Sequence, residues 1–277
     1  MDLGSELYFP DCSSFCIPQL KYAITNLDEA EKFTLTDYKE GLGFQKRKKF
    51  IDISMSDGVY GNGIAMVTGS ILEVLSMILD PILLLKWMKK EPATVHKLEE
   101  LIFKYLLQII DDDIETYGIE NCSSFAFFPF ESSKIISLDL FKEFSYPYTI
   151  RMHEELKKRG VENFSIHLCG RHTDDLEYFK ELNLPPRSCI TVDEQTDIVK
   201  VSKIFGDDYI IGGNVSSTTL LTGTFQDVYN ASRDVIEKMK YHKGGYILMP
   251  SCDMPPNTPP LNVYAMFCAI RDFGYYE

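Results

Sequence analysis

The sequence predicts an α/β fold built on parallel strands, and its length admits one (β/α)8 barrel. Three observations carry this. From about residue 60, short β-type runs alternate with longer helical patterns, the signature of βαβ units. Residues able to bind a metal fall at the C-terminal ends of two of those runs, the end that carries the active site in barrels. No internal repeat, low-complexity tract or linker interrupts the 277 residues, and a barrel takes roughly 250, so the chain reads as a single domain, 1–277.

The β runs are Ile64–Ser70, Ser123–Pro129, Phe164–Gly170, Ser188–Glu194, Tyr209–Val215 and Gly244–Cys252. Between and after them lie helical patterns. Glu91–Tyr117 sets Leu98, Leu101, Ile102, Tyr105, Leu106 and Ile109 on one face at spacings of three and four. Leu138–Arg159, Thr173–Leu182, Thr196–Phe205, Thr224–Lys240 and Pro259–Phe273 are the other helices expected. Residues 1–60 are atypical: Leu27–Lys39 is expected to hold a short helix, and Phe50–Ser54 reads as a strand. Six strand–helix units over 61–277 fall short of eight, so the expected barrel is incomplete or modified at its N-terminal units. Residues 1–60, or a second copy in a homodimer, would cover the open edge.

Charge narrows the function. Lys plus Arg number 28 and Asp plus Glu 41, a net of 28 − 41 = −13. Such a chain repels phosphate backbones, which argues against nucleic acid. The basic run Lys46 to Lys49 is short and isolated, which argues against an anionic membrane surface. The longest apolar stretch, Ile71 to Met88, is broken by Glu73, Asp80, Pro81 and Lys86, so no span is expected where one needs about 20 mostly apolar residues. Met1 to Pro10 has acids and no basic n-region, and the expected compartment is the cytoplasm.

The seven cysteines, Cys12, Cys16, Cys122, Cys169, Cys189, Cys252 and Cys268, are odd in number and not spaced as a disulfide scaffold. Cytosolic cysteines near a histidine are metal ligands or small core residues. The informative run is Phe164-Ser165-Ile166-His167-Leu168-Cys169-Gly170. Strand period 2 puts His167 and Cys169 on one face, about 6.6 Å apart, opposite Phe164, Ile166 and Leu168. Cys252 closes the last β run at the same rim. Three N/S ligands with an open fourth position describe a catalytic zinc site, while core packing of each cysteine is the plainer alternative. Cys12 and Cys16 have no histidine nearby, and His96, His153, His172 and His242 read as surface residues. On Ser188–Glu194, Thr191 and Asp193 face inward, and Asp193 is placed either to complete the zinc shell or to cap the helix near Thr196. Gly212-Gly213 permits close approach of a ligand or simply makes a turn.

Several segments together resemble a known family. They are His167-Leu168-Cys169-Gly170, Gly213-Asn214-Val215-Ser216-Ser217 with Leu220-Leu221-x-Gly223, and Cys252-x-x-x-Pro256-x-Thr258-Pro259 with Asn262 and Ala265-Met266. In this order they resemble the methylcobamide:coenzyme M methyltransferases of the uroporphyrinogen decarboxylase superfamily, from about residue 60 to the C-terminus. The resemblance implies a (β/α)8 barrel, zinc on His167, Cys169 and Cys252, and methyl transfer from a methylated corrinoid (methylcobalamin-type) protein to a small thiol. It makes Asp193 the acid that completes the zinc shell and Glu131, in Phe127-Phe128-Pro129-Phe130-Glu131-Ser132-Ser133, a pocket residue. Asn214 and Ser216 are candidates for binding substrate. The first arginine is Arg47, so the arginine-rich N-terminal segment that grips porphyrinogen propionates has no counterpart. The alternatives are a decarboxylase of the superfamily and a non-catalytic relative that binds a corrinoid protein.

Overall fold

A computed structural model describes residues 2–8, 19–56 and 63–276. The chain divides into two compact units: Met1–Ala126 with Asp139–Glu162, and Phe127–Leu138 with Asn163–Glu277.

The first unit holds two small sheets. Strands β1 (Glu6–Tyr8) and β2 (Gln19–Lys21) pair antiparallel. Strands β3 (Ile64–Val67) and β4 (Cys122–Phe127) pair parallel, Ile64 opposite Cys122. The crossover between them carries three helices, Ile71–Ser76, Pro81–Lys90 and Pro92–Tyr117. Asp80 caps the second by accepting from the amides of Ile82 and Leu83, with Pro81 in the first turn, where its missing N–H costs nothing. In the third, Leu98, Ile102 and Tyr105 are buried, as their spacing predicts. One expectation for residues 1–60 is corrected. Phe50–Ser54 lies within the helix Leu42–Ser56, which buries Phe44 and Ile51, seven residues and two helical turns apart, and exposes Phe50 and Ile53. Leu27–Lys39 holds the expected short helix, Leu27–Lys32, which is followed by a separate 3-10 turn, Tyr38–Glu40.

The second unit is a four-stranded parallel sheet, β5 (Phe164–Leu168), β6 (Cys189–Val192), β7 (Ile210–Val215) and β8 (Tyr246–Pro250), paired in chain order. Helices Leu176–Lys180, Ile198–Phe205 and Phe225–Met239 connect the strands, and Pro260–Phe273 follows the last. Thr224 and Asp227 form a reciprocal capping box at the start of the third. Val215 and Leu220 pack with Val228, Ala265 and Met266 into one buried cluster, which fixes the end of β7 against the last two helices. Asn262 donates from its amide to the carbonyls of Leu220 and Gly223 at 2.9 and 2.8 Å. It satisfies two carbonyls at the end of the short helix Ser217–Thr222, groups that would otherwise be orphaned.

All six β runs of the sequence form strands, two in the first unit and four in the second. Each strand is shorter than its run by one to four residues, because the polar ends belong to the loops. This is a parallel α/β architecture of the kind TIM-type barrels use, with six parallel strands among the described residues and no closed barrel among them. No helix among them is long and apolar enough to cross a membrane.

Candidate metal centre

Alternation along β5 decides which side chains face the site. Phe164, Ile166 and Leu168 are buried, while Ser165, His167 and Cys169 are half-buried on the other face. Gly170 then turns the chain at φ 83°, and a Cβ there would stand 2.7 Å from Ser132 Oγ. Only glycine fits such a left-handed, crowded position. The turn is tied down: the Arg171 amide donates to Ser132 Oγ at 3.0 Å and the Ser133 amide to Arg171 O at 2.9 Å. Cys252 is placed from the other side. Its neighbour Ser251 donates its amide to Val215 O at 2.8 Å and accepts from the Ser217 amide at 3.1 Å.

The result brings the three predicted ligands together. The ligand atoms of His167, Cys169 and Cys252 all lie within 4.8 Å of one another, and all three residues are half-buried. The two sulfurs are 3.6 Å apart. Two sulfurs bound about 2.3 Å from one tetrahedral metal would stand about 3.8 Å apart. Cys252 is pulled down to about 4 by hydrogen bonding with Cys169, then by His167 and the Asp253 amide, against its own burial. These contacts favour its thiolate, the form that binds metal. His167 acts on Cys252 at short range, yet its Nε2 is buried and makes no hydrogen bond of acceptable geometry. A buried polar atom without a partner is costly, and a metal would supply one. The donor set fits zinc.

Asp193 lies 7 % exposed beyond the end of β6. It accepts from the Gln195 amide at 2.9 Å and from the Gly170 amide. Burial pushes its carboxyl above the usual range, the charges of Glu194 and Cys252 add to this, and the two amides oppose it. It does not cap the following helix; Asp197 does, accepting from the amides of Val199 and Lys200. Asn214 donates to Asp193 O at 3.2 Å and Thr196 O at 3.1 Å, so its amide hydrogens hold the loop after β6. Ser216 caps the helix Ser217–Thr222 and donates to Glu194 Oε1 at 3.2 Å. Glu131 is buried and acts electrostatically on His172.

Two histidines expected at the surface are buried. His153 is 1 % exposed and bonds Thr149 O at 2.8 Å. Position i to i+4 on an amphipathic helix faces inward here, and the proton cannot follow: burial pushes the imidazole down to about 4. His172 is wholly buried three residues beyond Cys169. Its Nδ1 is 2.8 Å from Asp175 Oδ2, and its Nε2 is 3.0 Å from both Phe128 O and Cys169 O. Every partner is an acceptor, so both ring nitrogens carry hydrogen. Burial pushes the imidazolium down, but the bond and charge of Asp175, with Glu131 and Cys169 O, outweigh it and the pKa is raised. The signal for this pair was the i, i+3 spacing of His172 and Asp175. Cys12 and Cys16 lie outside the described residues.

A model of the uroporphyrinogen decarboxylase (URO-D) family matches residues 1–273. The chain belongs to this family. The match takes in residues 1–60, where the sequence resemblance was not legible. The methylcobamide:CoM methyltransferases MtbA of Methanosarcina acetivorans and Methanosarcina mazei are each 24% identical over 185 residues, 66% of this chain and 50% of the relative. The chain thus spans about half the length of the curated relatives it matches. A solved methyltransferase from Methanosarcina mazei superposes with a TM-score of 0.76 at 18% identity, covering 99% of this chain and 77% of that one. The two chains share a fold.

Proposed function

We propose that this chain is a zinc-dependent methyltransferase that moves a methyl group from a methylated corrinoid protein to a small thiol. The single observation that carries the reading is the convergence of one imidazole nitrogen and two cysteine sulfurs at the C-terminal ends of β5 and β8. The likeness to methylcobamide:CoM methyltransferases supports the choice of reaction.

Zinc held by His167, Cys169 and Cys252 would deprotonate an incoming thiol and keep its sulfur nucleophilic, since two cysteine thiolates already neutralise the ion. The reaction class is methyl transfer to that sulfur: an S–C bond forms, and the electron pair of the broken C–Co bond stays with the corrinoid. The chain's own residues prepare the site. The Gly170 turn sets Cys169 beside Cys252, and the Cys169 contact together with the Asp253 amide holds Cys252 as a thiolate. Asp193 is steadied by two amides and stands outside the group of three ligand atoms; it would be the exchangeable carboxylate that gives way to an arriving thiol, a softer ligand for zinc. Glu131 is the candidate that lines the pocket, and its charge adds to that of Asp175 in favouring protonated His172. Asn214 and Ser216 hold the loop and helix that border the place of the acceptor.

The test is methyl transfer from free methylcobalamin to a panel of small thiols, followed by loss of the alkyl-cobalt absorption. Transfer by the zinc-loaded protein, lost in Cys252→Ala, is the expected result. Zinc binding with no transfer to any thiol would favour a non-catalytic partner of a corrinoid protein.

A further inference from the structure

We propose that Thr191 is a positioning residue that selects the Nδ1–H tautomer of His167 and so presents the Nε2 lone pair to the metal; this rests on the zinc reading above. Thr191 and His167 are paired in register across β6 and β5. Thr191 Oγ1 stands 2.8 Å from His167 Nδ1 and 3.3 Å from Ile166 O. A threonine hydroxyl has one proton and two lone pairs. Given to Ile166 O, that proton leaves a lone pair to accept Nδ1–H, and both contacts become hydrogen bonds. Given to Nδ1, it leaves Ile166 O without the hydroxyl it faces at 3.3 Å. Only the first arrangement satisfies both contacts of the hydroxyl, so it prevails. The imidazole then offers Nε2 unprotonated, as ligation requires.

The packing on the next strand keeps the hydroxyl aimed. Gly212 of β7 is in register with Thr191. A Cβ on Gly212 would meet both Thr191 Cγ2 and Met249 Sδ at 2.9 Å. The absent side chain leaves room for the threonine methyl to lie over β7, and this orientation turns the hydroxyl to His167. A valine at this position would keep the packing and lose the acceptor, while a serine would keep the acceptor.

The experiment uses the full chain in three forms, wild type, Thr191→Val and Thr191→Ser. Zinc affinity is measured by competition with a chromophoric chelator, beside thermal melts of the metal-free forms. Thr191→Val should bind zinc about 10–100-fold more weakly, with Thr191→Ser within about threefold of wild type and the melts little changed. Equal affinity in wild type and Thr191→Val, or a serine variant as weak as the valine one, overturns the proposal. A second readout needs no variant: 15N shifts of the His167 ring in the metal-free protein report the tautomer. Nδ1–H is expected, and Nε2–H in wild type overturns the role assigned to Thr191. If wild type binds no zinc, the zinc reading fails while the tautomer readout still decides the role of Thr191.

Discussion

Replacing His172 by leucine should destabilise the protein far more than a loop substitution ordinarily does. The side chain is wholly buried and donates to Asp175, Phe128 O and Cys169 O at 2.8–3.0 Å. Leucine fills the volume but strands the buried Asp175 carboxylate, and breaking one partner of a buried pair costs about 3–5 kcal/mol. We expect a loss of about 4 kcal/mol, a large part of the ~5–15 kcal/mol that holds a domain together. His172→Leu with Asp175→Leu should cost about 2 kcal/mol less than the sum of the single changes, because no charge is left unpaired. The pH dependence has a definite sign. The folded pKa of His172 is raised, so its contribution is complete below about 6.5, the unfolded value, and is lost as pH rises through the folded value. The assay is urea unfolding of the metal-free double-mutant cycle, at pH 6 and at pH 9. A single-variant loss below about 1 kcal/mol, additive energies in the cycle, or a wild-type advantage that grows with pH would refute the reasoning.

Other outcomes follow from the same geometry. His153 is fully buried with its pKa depressed from 6.5 to about 4, so the stability it protects is present above pH 6.5 and lost as pH falls towards 4. The integrated loss is about 3 kcal/mol, and unfolding of His153→Leu should show a flatter acid limb than wild type; an identical limb contradicts this. Gly170→Ala forces a Cβ into a left-handed position 2.7 Å from Ser132 Oγ and should cost about 2 kcal/mol or more, with zinc affinity reduced because Cys169 shifts. Chelator competition and melting on one sample check both. Asp193→Ala should retain zinc that Cys252→Ala loses; elemental analysis showing equal loss would make the carboxylate a permanent ligand.

The legible part of this molecule is the part governed by local period. Phe164, Ile166 and Leu168 alternate with Ser165, His167 and Cys169, and the structure buries the first set and gathers the last two residues with Cys252. Strand alternation is a backbone property, so it survives without knowledge of neighbours. What was not legible depends on neighbours distant in sequence. The fate of His172 is set by Phe128, 44 residues away, and that of His167 Nδ1 by Thr191, 24 residues away. Phe50–Ser54 misled because Ile51 and Ile53 alternate as in a strand, while the longer i, i+7 spacing from Phe44 to Ile51 marks the helix. The sequence left Asp193 open as a zinc-shell carboxylate or a helix cap, since carboxylates before a helix commonly cap it. The cap falls to Asp197, four residues on, and leaves Asp193 beside Gly170.

The central claim is that His167, Cys169 and Cys252 hold one zinc on which a thiol is activated. Zinc K-edge X-ray absorption on the purified chain, with and without an added thiol acceptor, tests it most directly. The account predicts one zinc per chain with two sulfur neighbours near 2.3 Å, rising to three when the thiol is added. Protein that takes up no zinc, or a shell with fewer than two sulfurs, would contradict the site, and a sulfur count unmoved by saturating thiol would contradict its use.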